Sequence, residues 1–229
     1  TTFEVMPGVC HDVLDLLRQA KPGSDTQLLL ARSFARLARR EDHLDVIAGM
    51  LDGRRELDGL AVDTDMRWTL LTSLTTAGRF GEREIEAELD RDDTATGRVR
   101  AAMATASIPT PQAKQTAWAS VVESDELPNA IQGATIAGFL RVHDEQLLEP
   151  FVEPYFAALE RIWRERTSEI ATQIVEGLFP AQLASEALLA RTERWLDEAT
   201  TAEPSMRRLI AEGRDGIQRA LKVQSRDAG

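Results

Sequence analysis

The stretch from residue 65 to 97, DMRWTLLTSLTTAGRFGEREIEAELDRDDTATG, decides the fold. Its first part, Asp65 to Ala77, places Met66, Leu70, Leu71 and Leu74 at three- to four-residue spacing, the period of an apolar helix face. Gly78 and Gly81 then bracket a tight connection, and Glu82 to Leu89 reads as a short, charge-rich helix. Asp93 and Thr94 are cap residues for a third helix through Val99, Ala102, Met103 and Ala106. Pro109 stops it, and Thr110-Pro111 opens the next, because proline suits the first helical turn and not the interior.

The same grammar extends in both directions. Upstream, a helix starts near His11, with Val13, Leu14, Leu16 and Leu17 apolar, and ends at Lys21-Pro22-Gly23. Ser24 or Asp25 caps a second helix with Leu28, Leu29, Phe34 and Leu37 apolar. A third runs from about Asp42 to Gly53, and residues 52–65 read as a loop. Downstream, Pro128 starts a helix that ends past Phe139. Pro150 and Pro154 split Glu145–Arg164 into a short turn and a longer helix from about Glu153. Helices are predicted over Thr167–Phe179, Ala181–Leu196 and Pro204 to about Val223. No strand period appears. Helices of this length joined by short turns pair as antiparallel hairpins. Stacked pairs give an all-α, HEAT- or armadillo-like α-solenoid, or superhelix. A plain helical bundle is the alternative. The expected organisation is one all-helical domain over 1–229. The chain opens Thr1-Thr2-Phe3 without an initiator Met, so it is expected to be an N-terminally truncated piece of a longer protein.

Composition narrows the function classes. Of 229 residues, 43% are hydrophobic and 28% charged, the balance of a globular chain that can bury a core. The net charge of −11 argues against binding a phosphate backbone. The basic stripe Arg32, Arg36, Arg39 and Arg40 is diluted by Glu41, Asp42 and Asp45. No apolar run reaches the ~20 residues of a membrane span, so neither nucleic acid nor membrane is an expected partner. The single Cys10 rules out an internal disulfide and fits a reducing cytoplasm.

Candidate chemistry is sparse. His11, His43 and His143 are far apart in sequence, so no two-His helical metal face forms, and each reads as a surface histidine. Asp90-Arg91-Asp92-Asp93 fails the calcium-loop pattern at Thr94 and Ala95, and reads as capping. Glu82, Glu84, Glu86 and Glu88 spread over different faces of a helix and read as solvated charge. Trp68, Trp118, Trp163 and Trp195 lie in separate helices and read as packing residues. There is no H-E-x-x-H, nucleophile elbow or phosphate loop.

The order of several local motifs resembles the C-terminal helical domain of the aminopeptidase N family of zinc metallopeptidases, actinobacterial type. It is similar also to the C-terminal domain of the ER aminopeptidases. The residues are Arg67-Trp68-Thr69-Leu70-Leu71, Gly78, Gly81-Glu82, Asp92-Asp93-Thr94-Ala95-Thr96-Gly97, Ala101-Ala102, Pro109 and Lys114…Ala117-Trp118. They continue through Asn129, Gly138-Phe139, Pro154-Tyr155-Phe156, Ile162-Trp163 and Arg208…Glu212-Gly213-Arg214-Asp215…Arg219-Ala220-Leu221. The resemblance implies a parent that removes N-terminal residues from peptides, with zinc held in a catalytic domain by H-E-x-x-H and the substrate amine by G-x-M-E-N. Neither motif occurs here, so no catalytic residue, cofactor site or metal ligand carries over. The implied role is a domain that encloses the active-site cavity and controls peptide access, with the catalytic domain of the same polypeptide and its peptide substrates as partners. Arg67, Lys114 and Arg141 lie beside matched motifs and are the expected cavity-lining or peptide-contacting cations. A free-standing HEAT-like adaptor for protein partners is the alternative.

Overall fold

The computed structural model describes residues 2–227, with side chains over 8–226. Among the described residues there are α-helices, short 3-10 turns and no strand, so the chain is all-α. It divides between Pro109 and Thr110 into two compact units.

The first unit contains α1 (Thr2–Gln19), α2 (Asp25–Leu37), α3 (Glu41–Leu51), α4 (Thr64–Thr76), α5 (Glu82–Arg91) and α6 (Ala95–Ala106). Consecutive helices pack in pairs, α1 on α2, α3 on α4 and α5 on α6. The even-numbered helices also pack on one another, α2 on α4 and α4 on α6. Paired helices stacked through one member of each pair are the pattern expected of a solenoid segment. Side-chain oxygens fix the helix starts: Ser24 accepts from the Gln27 N–H, Asp63 from Met66 and Thr94 from Gly97. Each such cap is worth about 1 kcal/mol. Gly97 permits this start, because a Cβ there would overlap the Asp92 carbonyl.

Helix α4 is the centre of this unit. It is buried on nearly all sides, from Met66 and Trp68 through Leu70–Thr76. The sequence suggested a single apolar face, yet its hydroxyl residues are buried too. Three of the four buried hydroxyls find carbonyl acceptors, and Thr75 Oγ1 has no hydrogen-bond partner. Thr72 Oγ1 donates to the Trp68 carbonyl at 2.7 Å, Thr76 Oγ1 to Thr72 at 2.7 Å, and Ser73 Oγ to the Ala35 carbonyl of α2. A buried hydroxyl with a partner avoids the desolvation cost of an orphaned one.

The second unit contains α7 (Pro111–Val122), α8 (Asn129–Phe139), one-turn 3-10 helices at Glu145–Leu147 and Glu149–Phe151, and α9 (Val152–Glu165). After these come α10 (Ser168–Gly177), a 3-10 turn at Ala181–Leu183, α11 (Glu186–Glu198) and α12 (Pro204–Asp227). The scheme repeats: α7 packs on α8, α9 on α10 and α11 on α12, while α8 packs on α10 and α10 on α12. Two aromatic groups fill its core. Trp118, Phe139 and Phe151 meet with ring centroids 5.0–6.0 Å apart. Tyr155 stands edge-on to Phe156 and Phe179 and donates its hydroxyl to the Val175 carbonyl at 2.6 Å. Gly213 lets α12 lie against Phe179, since a Cβ there would come 2.5 Å from that ring.

Several expectations are corrected. Helix α1 begins at Thr2 and not near His11; Pro7 and Gly8, poor residues inside a helix, hid its early turns from the pattern. The helix expected over Ala181–Leu196 is two elements, because Ser185 adopts an extended backbone and accepts the Leu188 N–H as a cap. Leu29, expected on the apolar face of α2, is 65% exposed, and Ala31 and Ala35 are buried instead.

Candidate functional site

Arg67 projects from α4 onto α5. Its Nε and Nη2 donate to the two carboxylate oxygens of Glu88 at 2.7 and 2.6 Å, and Nη1 to the Leu51 carbonyl at 3.0 Å. The Glu88 hydrogen bond leads in holding the guanidinium pKa above its usual value. Glu88 is buried, which corrects its reading as solvated charge. The adjacent Trp68 donates its indole N–H to Asp92 at 2.8 Å, at the C-terminal end of α5. Two consecutive residues of α4 thus bind α5 in its last turn and at its cap. Thr94 Oγ1 donates to the other Asp92 oxygen at 2.8 Å; of the capping candidates Asp92, Asp93 and Thr94, it is Thr94 whose side chain caps α6.

Lys114 and Arg141 meet at the C-terminus of α8. Lys114 is fully buried and donates from Nζ to the carbonyls of Gly138 and Phe139 at 3.2 and 2.9 Å. The Arg141 backbone N–H donates to the same Gly138 carbonyl at 3.0 Å, and Gln182 Nε2 to the Leu140 carbonyl at 2.9 Å. Carbonyls at a helix C-terminus lack intrahelical partners and carry the negative end of the helix dipole. A buried amine there supplies what they need. Burial pushes the Lys114 pKa down from 10.5 to about 7. The Arg141 side chain is half-buried and engaged. Arg67 belongs to the other unit.

Sequence separation concealed one pairing. His11 on α1 and His43 on α3 stack with ring centroids 6.1 Å apart, and Phe34 meets His43 edge-on at 5.6 Å. His43 is buried, contrary to its reading as a surface residue, and burial lowers its pKa. Its Nδ1 has no hydrogen-bond partner. The pair borders a hollow of about 240 Å³ together with Arg40 and Asp42. Arg40 is bound to Asp42 at 3.0 and 3.2 Å. Cys10 is buried, and its thiol is pushed up to about 11, chiefly by burial and then by Asp42. A thiol so held is a poor nucleophile. Among the described residues no group of three His, Cys, Asp or Glu side chains is placed to hold a metal ion. No described helix is long and apolar enough to cross a membrane. The basic stripe on α2 and beyond is partly neutralised: Arg32 pairs with Asp65 at 2.6 Å and Arg40 with Asp42.

Paired helices, stacked through their even-numbered members and holding their polar groups for internal contacts, define a class: all-α domains built from helical hairpins. The family is specific. Residues 5–219 match the model of the ERAP1-like C-terminal domain, and the chain belongs to that family. It is 50% identical over 214 residues to aminopeptidase N of Streptomyces lividans. The match covers 93% of this chain and 25% of that relative, so the chain spans about a quarter of the length of the curated protein it matches.

Proposed function

We propose that this chain is the non-catalytic C-terminal domain of a zinc-dependent aminopeptidase N, which encloses the active-site cavity and controls peptide access to it. The observation that carries the reading is the match to a C-terminal domain family over residues 5–219, beside 50% identity to an aminopeptidase N. In this reading residues 1–229 act as one domain of a cytoplasmic hydrolase. Its zinc and its H-E-x-x-H lie in the catalytic domain, the partner against which this domain closes. Rigid helical walls suit such a task, since enclosure limits which substrates fit and relative motion gates entry and release. Arg67 and Lys114 are proposed to act indirectly, by holding α5 through Glu88 and the end of α8 through its carbonyls, while Arg141, half-buried and itself engaged, is the cation proposed to border the cavity.

Two assays test this. The purified chain, given aminoacyl chromogenic substrates with and without zinc, is expected to release no product; zinc-dependent turnover overturns the non-catalytic reading. Adding the chain in trans to the catalytic part of its parent is expected to change KM for peptides more than for single-residue substrates. An unchanged dependence on peptide length overturns the access role.

A further inference from the structure

An open groove of about 460 Å³ lies in the second unit, bordered by α9, the start of α10, the connection before α12 and the first turn of α12. Its floor includes Met206, which is fully buried, and the half-buried indole of Trp163. Glu160 and Glu203 stand on its walls, both exposed. Neither carboxylate forms an ion pair within the described residues, and the Trp163 N–H finds no protein acceptor there. The remaining charge on the wall, Arg164, is bound to Glu165 at 2.9 Å. Trp68, by contrast, has its indole N–H fully used by Asp92.

We propose that this groove binds the guanidinium side chain of an arginine presented by a peptide segment. The reading is independent of the one given for the whole domain. A planar cation is attracted to the face of an indole, and arginine stacks there better than an ammonium does. Its aliphatic stem can lie along the half-buried Trp163, as long basic side chains cover apolar surface while keeping the charged end in water. Glu160 and Glu203 supply acceptors for the N–H fork. A carboxylate ligand would meet the same two charges and be repelled. The net charge of −11 on the chain biases the encounter in the same direction.

The test uses the whole chain and the blocked peptide acetyl-Gly-Arg-Gly-amide, followed through the indole N–H resonances. Trp163→Phe assigns the relevant signal. The arginine peptide is expected to shift the Trp163 resonance saturably. Replacing arginine by citrulline, an uncharged analogue of the same shape, is expected to weaken binding ~tenfold or more, as loss of a stacked and paired cation implies. Glu160→Gln with Glu203→Gln should weaken the arginine peptide to a similar degree, and Arg164→Gln should tighten it. If Glu203→Gln disturbs the start of α12, Glu160→Gln alone carries the test from the interior of α9. Glu212→Gln, a substitution outside the groove, should change nothing. No saturable shift, equal binding of the citrulline peptide, or undiminished binding by the glutamine variants overturns the proposal.

Discussion

The first unit holds the guanidinium of Arg67 against the carboxylate of Glu88, whereas the second holds the amine of Lys114 against main-chain carbonyls at the end of α8. The first arrangement matches a fork of N–H donors to a carboxylate, and Arg67 remains protonated at any accessible pH. The second exploits a residue that can lose its proton. A neutral amine still has two N–H groups to give to Gly138 and Phe139, so Lys114 can satisfy α8 without carrying charge into the interior. Arginine was needed where a carboxylate had to be matched bidentately; lysine serves where the acceptors are dipoles.

The largest expected effect breaks the first half of that comparison. Glu88→Ala strands a partly buried guanidinium and should cost about 3–5 kcal/mol in urea unfolding. The double variant Arg67→Met with Glu88→Leu should recover most of that loss, because a well-packed apolar pair replaces a buried ion pair at little cost. If the double variant is as unstable as Glu88→Ala, the penalty comes from packing and not from the unpaired charge.

The next prediction sharpens the second half. Lys114 has a folded pKa of about 7 against 10.5 unfolded, so between these values the unfolded chain binds a proton that the folded chain lacks. Its contribution to stability therefore rises with pH above about 7, by up to ~1.4 kcal/mol per pH unit. Below pH 7 both states are protonated and this contribution is flat. Lys114→Met should remove that slope, seen by comparing urea unfolding of the two chains between pH 7 and 9. The upper limit matters, because Cys10 works in the opposite sense from about pH 9 to 11. Its thiol stays protonated in the fold, and stability falls as the unfolded thiol ionises.

Smaller effects compare the units at the same kind of position. Thr94→Ala and Thr110→Ala each remove a cap, from α6 in the first unit and α7 in the second. Each should lose about 1 kcal/mol by thermal or urea unfolding. The least effect is expected from Leu29→Ser, a change at a side chain 65% exposed. It should stay within ~0.5 kcal/mol; a larger loss would show that Leu29 is covered in solution.

Helix existence was legible because caps and proline breaks act over a few residues. Ser24, Thr94 and Thr110 are visible as start signals, and each accepts the predicted kind of N–H. Helix burial was less legible. The threonines of α4 look polar in sequence, and only the neighbouring helices reveal that they are buried, with the hydroxyls of Thr72 and Thr76 turned back on their own backbone. The motif beside Arg67 and Trp68 could be seen, but its partners Glu88 and Asp92 lie 21 and 24 positions away. A run of alternating glutamates gives no local sign of which one is covered.

The sequence by itself determined that this protein is helical, where most of its helices start and stop, and, through the order of its motifs, the family to which it belongs. These properties follow from backbone capping, side-chain period and local residue identity. Tertiary structure alone decided that Glu88 and His43 are buried, that Lys114 serves the end of α8, and that Trp163 borders a groove with Glu160 and Glu203. Burial and partnership depend on which helix faces meet across long sequence separations, and no local pattern encodes the neighbour that removes a side chain from water.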